Sequence, residues 1–371
     1  MDDRSKTPAS SRLTATARQR PSSVTLQDVA REAGVSAATA SRALNGSTRN
    51  VQSDNVSRVL AAAARLGYVP HVSAQATAKG SIPTVALVVS DVADPYFSSI
   101  AVGIIDAAEA GGLVVTMTVA DRSPEREVQL VRTLRGQRPQ IIIIAGSRIN
   151  DTDTRGALID ELKQYRAAGG RVVLISQPEL PFPTVAIDNV DGARLLAREL
   201  AGAGYRRLCI IHAPHRIRTS YDRYTGFVTG LEESGISMDA NFAMETEFTR
   251  SGGYEAAREL VERGLRNIEL IFAVNDAMAL GVMSALRDAG LVPGRDVAVA
   301  GFDDISSAVD VVPALTTVTV PLRTAGLEAM RLALADDDAA GEAGIPTVWI
   351  PTAVRLREST PPVSGRLITV R

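Results

Sequence analysis

The sequence predicts an N-terminal all-α helix-turn-helix headpiece followed by a larger α/β core of two subdomains. Three observations carry this reading. The run Val24 to Asn45, VTLQDVAREAGVSAATASRALN, sets two short helical patterns either side of a glycine. From Pro83 onward, near-continuous apolar strands alternate with helical segments, the pattern of parallel sheets covered on both faces. Charge divides the chain the same way. Residues 1 to 80 hold eleven Lys/Arg against five Asp/Glu, so a net charge of −2 separates into a basic head of +6 and a body of −8.

In the first helix Leu26, Val29 and Ala30 fall at i, i+3 and i+4 and make one apolar face. Gly34 supplies the left-handed turn, Val35 plugs the angle, and Ser36 caps the next helix. That helix, roughly Ala37 to Leu44, displays Ala37, Ala38, Thr39, Ser41 and Arg42, with Asn45 just beyond. Small side chains let a helix backbone approach base edges in the DNA major groove, and an arginine reaches phosphate or guanine. A third helix is expected from about Ser53, as cap, to Leu66, with Val56, Val59, Leu60, Ala63 and Leu66 closing the core and Gly67 ending it. Met1 to Ser23 has few large apolar residues and is expected to be a disordered tail.

The headpiece is thus bounded at 24–70, the linker at 71–82 and the core at 83–371. Core strands are expected at Thr84 to Ser90, Leu113 to Val119, Ile141 to Gly146, Arg171 to Ser176, Arg207 to His212, Leu270 to Asn275 and Val297 to Asp304. Helices intervene through Ala110 and near Glu125 to Leu134, Asp191 to Ala201, Arg223 to Ser234, Asp276 to Ala289 and Thr324 to Ala335. Two successive open sheets imply two subdomains whose strand carboxyl ends line a cleft.

The helix-turn-helix segment, continuing through Asn45-Gly46 and Leu66-Gly67-Tyr68-Val69-Pro70, closely resembles the headpiece of the lactose-repressor (LacI/GalR) family of bacterial transcriptional regulators. Residues from Pro83 to about Thr360, ending in Leu356-Arg357-Glu358-Ser359-Thr360, resemble that family's effector-sensing core, a type I periplasmic-binding-protein fold. The resemblance implies three crossings between subdomains, near Ile187, Thr319 and Thr347. It also implies that the linker is a hinge pressing into the minor groove of operator DNA, where relatives wedge a leucine. Here that position is Thr77, smaller in apolar reach, although Ala74 and Ala76 favour a helix and close approach. The expected DNA-binding set is Thr25, Ser36, Ala37, Ala38, Thr39, Ser41, Arg42, Asn45, Tyr68, Ala74 and Thr77.

Carried over position by position, the family's effector contacts fall on Arg223, Asn275 and Asp303, with Phe248 as a stacking aromatic and Asp188 in a loop within reach. Tyr96 and Phe97 follow the first strand and join the set. Carboxylates, an amide and a guanidinium around aromatic rings suit a polyhydroxylated ligand, because each hydroxyl both donates and accepts. Ser176-Gln177 replaces an Asp-Arg pair common in relatives, removing one hydroxyl acceptor. His212 and His215 flank a proline and, as two histidines with no second cluster nearby, fall short of a metal-ligand set. No metal and no cofactor are expected.

Other classes fit less well. The single cysteine, Cys209, allows no intrachain disulfide, and the polar first twenty residues lack the apolar core of a secretory signal. No apolar run approaches a bilayer span, so no membrane association and a cytoplasmic location are expected. A solute receptor would need that signal and would not carry the headpiece. An enzyme is disfavoured: neither a dinucleotide fingerprint nor a P-loop is present, and His71, His212 and His215 form no evident triad. The expected protein is an effector-controlled repressor acting as a homodimer on palindromic double-stranded operator DNA. The dimer contact should include the helix after Pro95. No heptad tail follows Thr360, so no tetramer is expected.

Overall fold

A computed structural model describes residues 24–44, 51–68, 82–265, 268–335 and 344–363. The expected tail, Asn45, His71, Ala74 and Thr77 lie outside these residues. The chain divides into two compact units, Met1–Ala78 and Lys79–Arg371.

The first unit contains α1 (Leu26–Ala33), α2 (Ala37–Leu44) and α3 (Ser53–Leu66). Thr25 starts α1 through a reciprocal capping box with Asp28, and Gly34 ends it at φ 66°. Ser36 caps α2, its Oγ accepting from the Thr39 N–H at 3.1 Å. Val29, Ala30, Ala40, Ala43, Val59, Ala62 and Ala63 form the core, with Val35 packed against it. Two residues of α3 depart from expectation. Ser53 is the first helical residue rather than the cap; Gln52 holds the cap position without a side-chain bond. Leu60 is 52% exposed, because it lies about 100° round the helix from Val59, whose buried stripe continues through Ala62 and Ala63.

The second unit opens with β1 (Ile82–Val89), α4 (Pro95–Ala110), β2 (Val114–Val119), α5 (Pro124–Gln137), β3 (Pro139–Ala145), α6 (Thr152–Ala167), β4 (Arg171–Ile175) and β5 (Thr184–Ile187). It continues with α7 (Asn189–Gly202), β6 (Leu208–His212), α8 (Arg218–Glu233), β7 (Ala243–Glu245), α9 (Arg250–Glu262), β8 (Leu270–Ala273), α10 (Asp276–Asp288) and β9 (Ala298–Ala300). It closes with α11 (Ser307–Asp310), β10 (Thr317–Thr319), α12 (Leu322–Leu334), β11 (Thr347–Ile350) and β12 (Ala353–Arg355).

The first sheet is parallel, in the order β11-β5-β4-β3-β1-β2, and the second is parallel, in the order β7-β6-β8-β9. Strand alternation supplies both faces of the first sheet. Val85, Leu87, Ile141 and Ile143 join one core cluster, while Ala86, Val88, Ile142 and Ile144 join another. The edge strand β2 departs from this pattern, with Val114 64% and Met117 40% exposed.

The chain leaves the first sheet after Ile187 and returns after Thr319, when α12 packs on α4 and β4. The last crossing falls at Pro351–Thr352, beyond the expected Thr347, because Thr347–Ile350 pairs with β5 while β12 pairs with β10. Three helix pairs meet through small residues. A methyl at Gly103 or Gly326 would strike the backbone of the facing helix in the α4–α12 pair, as it would at Gly226 in α7–α8 and Gly253 in α9–α10.

Candidate functional site

On α2, Ala40 and Ala43 point into the headpiece core, while Ala37, Ala38 and Arg42 are exposed. Arg31 pairs with Asp28, Arg58 with Asp54 and Arg65 with Glu32. Arg42 has no ion-pair partner among the described residues, which leaves it as the cation presented by α2. Other members of the expected DNA set have local duties. Thr25 is the α1 cap, the Ser36 and Thr39 hydroxyls lie 2.8 Å apart, and Tyr68 packs against the headpiece core.

In the core, the carboxyl ends of β1, β3, β4 and β5 face those of β6, β8 and β9 across a cleft of about 790 Å³, counting its open mouth. Tyr96, Phe97, Arg223, Phe248, Asn275 and Asp303 all line it. At its floor Arg223, 1% exposed, is fully engaged. Its Nε donates to Asn189 Oδ1 at 2.8 Å, one terminal nitrogen to the Val274 carbonyl at 2.8 Å and the other to Asp303 Oδ1 at 2.7 Å. The guanidinium also lies over the Phe302 ring, 3.9 Å from its centroid. Arg223 sits in the second turn of α8, which begins five residues earlier than the sequence suggested.

Asp303 and Asp304 hold positive φ, 119° and 59°, a conformation that costs about 1–3 kcal/mol per residue unless neighbours fix it. Here they do. The Asp303 N–H donates to the Val318 carbonyl at 2.9 Å, and Asp304 accepts from Arg357 and from the Thr319 hydroxyl. Burial pushes the Asp303 carboxyl up from its ordinary value, and the Arg223 guanidinium opposes that. Burial also raises Asp94, and it pushes Asp276 up to about 6. Asp276 is not a cap: Asn275 caps α10, accepting from the Met278 N–H at 2.8 Å. Asp276 instead accepts from the Thr317 hydroxyl at 2.6 Å and the Ile305 N–H at 2.9 Å, tying α10 to the loop behind the cleft.

Asp188, expected within reach of the ligand, does not line the cleft. It caps α7, accepting from the Asp191 N–H, and its neighbour Asn189 lines the cleft in its place. The helix starts two residues before the expected Asp191, which turns Asn189 inward. Sequence reading also passed over Arg122, Ser147 and Thr219. Arg122 pairs with Asp91 at 2.9 Å and lies over the Phe248 ring. Gln177 donates to the Thr219 hydroxyl at 2.9 Å and accepts from the Arg148 N–H, so the residue that departs from the family pattern joins the two subdomains. The Thr219 N–H donates to Ser147 Oγ and the Arg218 N–H to the Arg148 carbonyl, completing a clasp across the cleft rim.

An α2 face built for close approach and a two-lobed cleft with a buried guanidinium held by three hydrogen bonds at its floor define a DNA-binding regulator with a ligand-sensing core. Comparison with known proteins agrees. Residues 25–71 match the family model for bacterial regulatory proteins of the lacI family, and residues 197–360 match a periplasmic binding protein-like domain. The chain is 34% identical over 349 residues to the HTH-type transcriptional regulator GalR of Salmonella typhimurium (strain SL1344), covering 93% of this chain and 99% of that one. A lac repressor dimer bound to operator and the anti-inducer ONPF superposes with a TM-score of 0.77 at 26% identity, over 91% and 99% of the two chains. A CelR–cellobiose complex gives 0.65 at 30% identity, over 92% and 100%. The chain belongs to the LacI family and is a helix-turn-helix transcriptional regulator; its relatives are regulators rather than enzymes. No described helix is long and apolar enough to cross a membrane.

Proposed function

We propose that this regulator is a cytoplasmic homodimeric repressor on a palindromic operator, controlled by a sugar bound in the core cleft. The observation that carries the sugar reading is the lining itself. Asp94, Asn275, Gln177 and Asp303 offer acceptors and amides between the rings of Tyr96, Phe97 and Phe248, a composition suited to hydroxyls on an apolar ring face. Arg223 and Asp303 fix the floor, and Phe248 provides the stacking surface. Solved relatives hold cellobiose and ribose, which makes carbohydrate the first class to test.

The dimer reading is supported by Val102 and Ile105 on α4 and Met117 on the neighbouring edge strand, all at least 38% exposed. Val115 and Val119 pack into the cluster beneath α4, so strand alternation puts Met117 on that same side. The domain roles follow: a headpiece over 24–70, a hinge over 71–82 in which Ala74 and Thr77 meet the minor groove, and a sensing core beyond. In the headpiece, Ala37, Ala38 and Arg42 face base edges and phosphate, with Ser41 and Asn45 beside them.

Titration calorimetry against mono- and disaccharides, cellobiose and ribose included, tests the cleft. At least one sugar should bind, and Arg223→Lys, which replaces a planar fork by a point charge, should weaken it about tenfold or more. A panel without a binder, or a binder indifferent to Arg223→Lys, would overturn the assignment.

A further inference from the structure

Outside the cleft, the strand pairing of the second sheet assembles a group that sequence spacing does not reveal. His212 and Glu245 are register partners at the ends of the parallel strands β6 and β7. His215 lies three residues further on, beyond Pro214, and its ring stacks on that of His212 with 4.9 Å between centroids. One donor atom from each of the three lies within 4.8 Å of the other two. Among the described residues this is the one group of three or more His, Cys, Asp or Glu donors brought so close. The two histidines alone fall short of a ligand set; the fold supplies the third member from a strand thirty residues away.

We propose that His212, His215 and Glu245 bind a divalent transition-metal ion of the zinc type, at a site separate from the effector cleft. Two imidazole nitrogens and one carboxylate oxygen form a three-ligand set that leaves a position for water. His212 is prepared for this role. It is buried, and its Nδ1 lies 2.9 Å from the Ala213 carbonyl oxygen. A carbonyl only accepts, so Nδ1 carries the proton and Nε2 keeps the lone pair, the arrangement usual for a ligating histidine. The rings of Tyr224 and Tyr221 flank the imidazoles at 4.9 to 5.5 Å and restrict their rotation.

His215 and Glu245 are exposed, so water can reach the ion and both side chains can adjust. Ligand atoms around zinc stand about 3.3 Å apart for bonds of about 2.0–2.1 Å, so closure asks for a movement of roughly an ångström. The loop carrying His215 runs on into Arg216, whose carbonyl accepts from the Asn150 N–H at 2.9 Å in the other subdomain. The ion would therefore sit at the root of the segment that clasps the cleft.

The test uses the full chain, stripped with EDTA and dialysed. Co²⁺ is titrated by its visible d–d absorption and Zn²⁺ by calorimetry. One ion per chain is expected, bound about tenfold or more weakly by both His215→Ala and Glu245→Gln. Both substituted positions are exposed, and circular dichroism checks that the variants fold. His71→Ala, which removes the third histidine of the chain, should bind as the parent does. Absence of binding at micromolar metal, or affinity unchanged in both His215→Ala and Glu245→Gln, would overturn the site.

Discussion

Arg223 makes three hydrogen bonds and a ring contact while almost wholly buried. A buried ion pair of this kind adds little net stability, since removing two charges from water offsets most of their attraction. Its value here is positional. It joins α8, the end of β8 and the strained turn after β9 into one floor of the cleft. Asp276 plays the supporting part behind that floor. Its carboxyl is pushed up to about 6, chiefly by burial, against the bonds from Thr317 and Ile305 that favour the carboxylate. A raised folded value means the folded state holds the proton more tightly. The stability this gives is full below the ordinary value of 3.8 and is lost as pH rises through about 6. At 1.36 kcal/mol per pH unit the effect is about 3 kcal/mol. Denaturant unfolding should therefore show the parent losing stability relative to Asp276→Asn between about pH 4 and 6, then running parallel above. A difference independent of pH would contradict this.

At the scale of elements, the helix pairs depend on backbone contact. A methyl at Gly326 on α12 would meet the Ile100 carbonyl of α4, and backbone cannot step aside as a side chain can. Gly326→Ala should cost about 1–3 kcal/mol. Gly136→Ala on α5, with nothing nearby, should stabilise by about 0.5–1 kcal/mol. Thermal unfolding checks both, and an unchanged midpoint for Gly326→Ala would show that the helices can part freely.

Element length and burial decide which parts of the fold stand out in the sequence. Runs such as Ile141 to Ala145, buried on both faces, announce themselves by composition alone. So does the headpiece turn, where Gly34 and Ser36 do what their chemistry demands. Strands of three or four residues, β5 and β7, are too short to show a period, and α6 buries so narrow a stripe (Leu158, Leu162, Tyr165) that its sixteen residues read as polar. In the site, Arg223, Asn275 and Asp303, all at predicted strand ends or helix starts, line the cleft, as does Phe248. Asn189 is absent from the expected site because its partner is Arg223, thirty-four residues on, and no local pattern encodes that contact. Leu60 falls outside the buried stripe because hydrophobicity does not fix on which side of a stripe's edge a residue lies.

For the whole molecule, a basic head and an acidic body allow polyanion binding to be confined to one end. One headpiece offers few base contacts, and a two-fold pair matches two half-sites. Sedimentation at micromolar concentration should give two chains per particle, and Ile105→Glu, which puts a charge on the exposed α4 face, should shift it toward one. A parent that stays monomeric would remove the dimer.

Occupancy of the cleft is expected to set affinity for DNA. Fluorescence anisotropy on a palindromic operator fragment tests it most directly, with and without a sugar that calorimetry has shown to bind. Arg42→Ala serves as the groove control and should lose about 1–3 kcal/mol of DNA affinity. The sugar should change the operator Kd of the parent about fivefold or more. That change should vanish in Arg223→Lys while sugar-free DNA affinity is retained. A sugar that fills the cleft and leaves the parent's operator Kd unchanged would show that cleft and headpiece are not coupled.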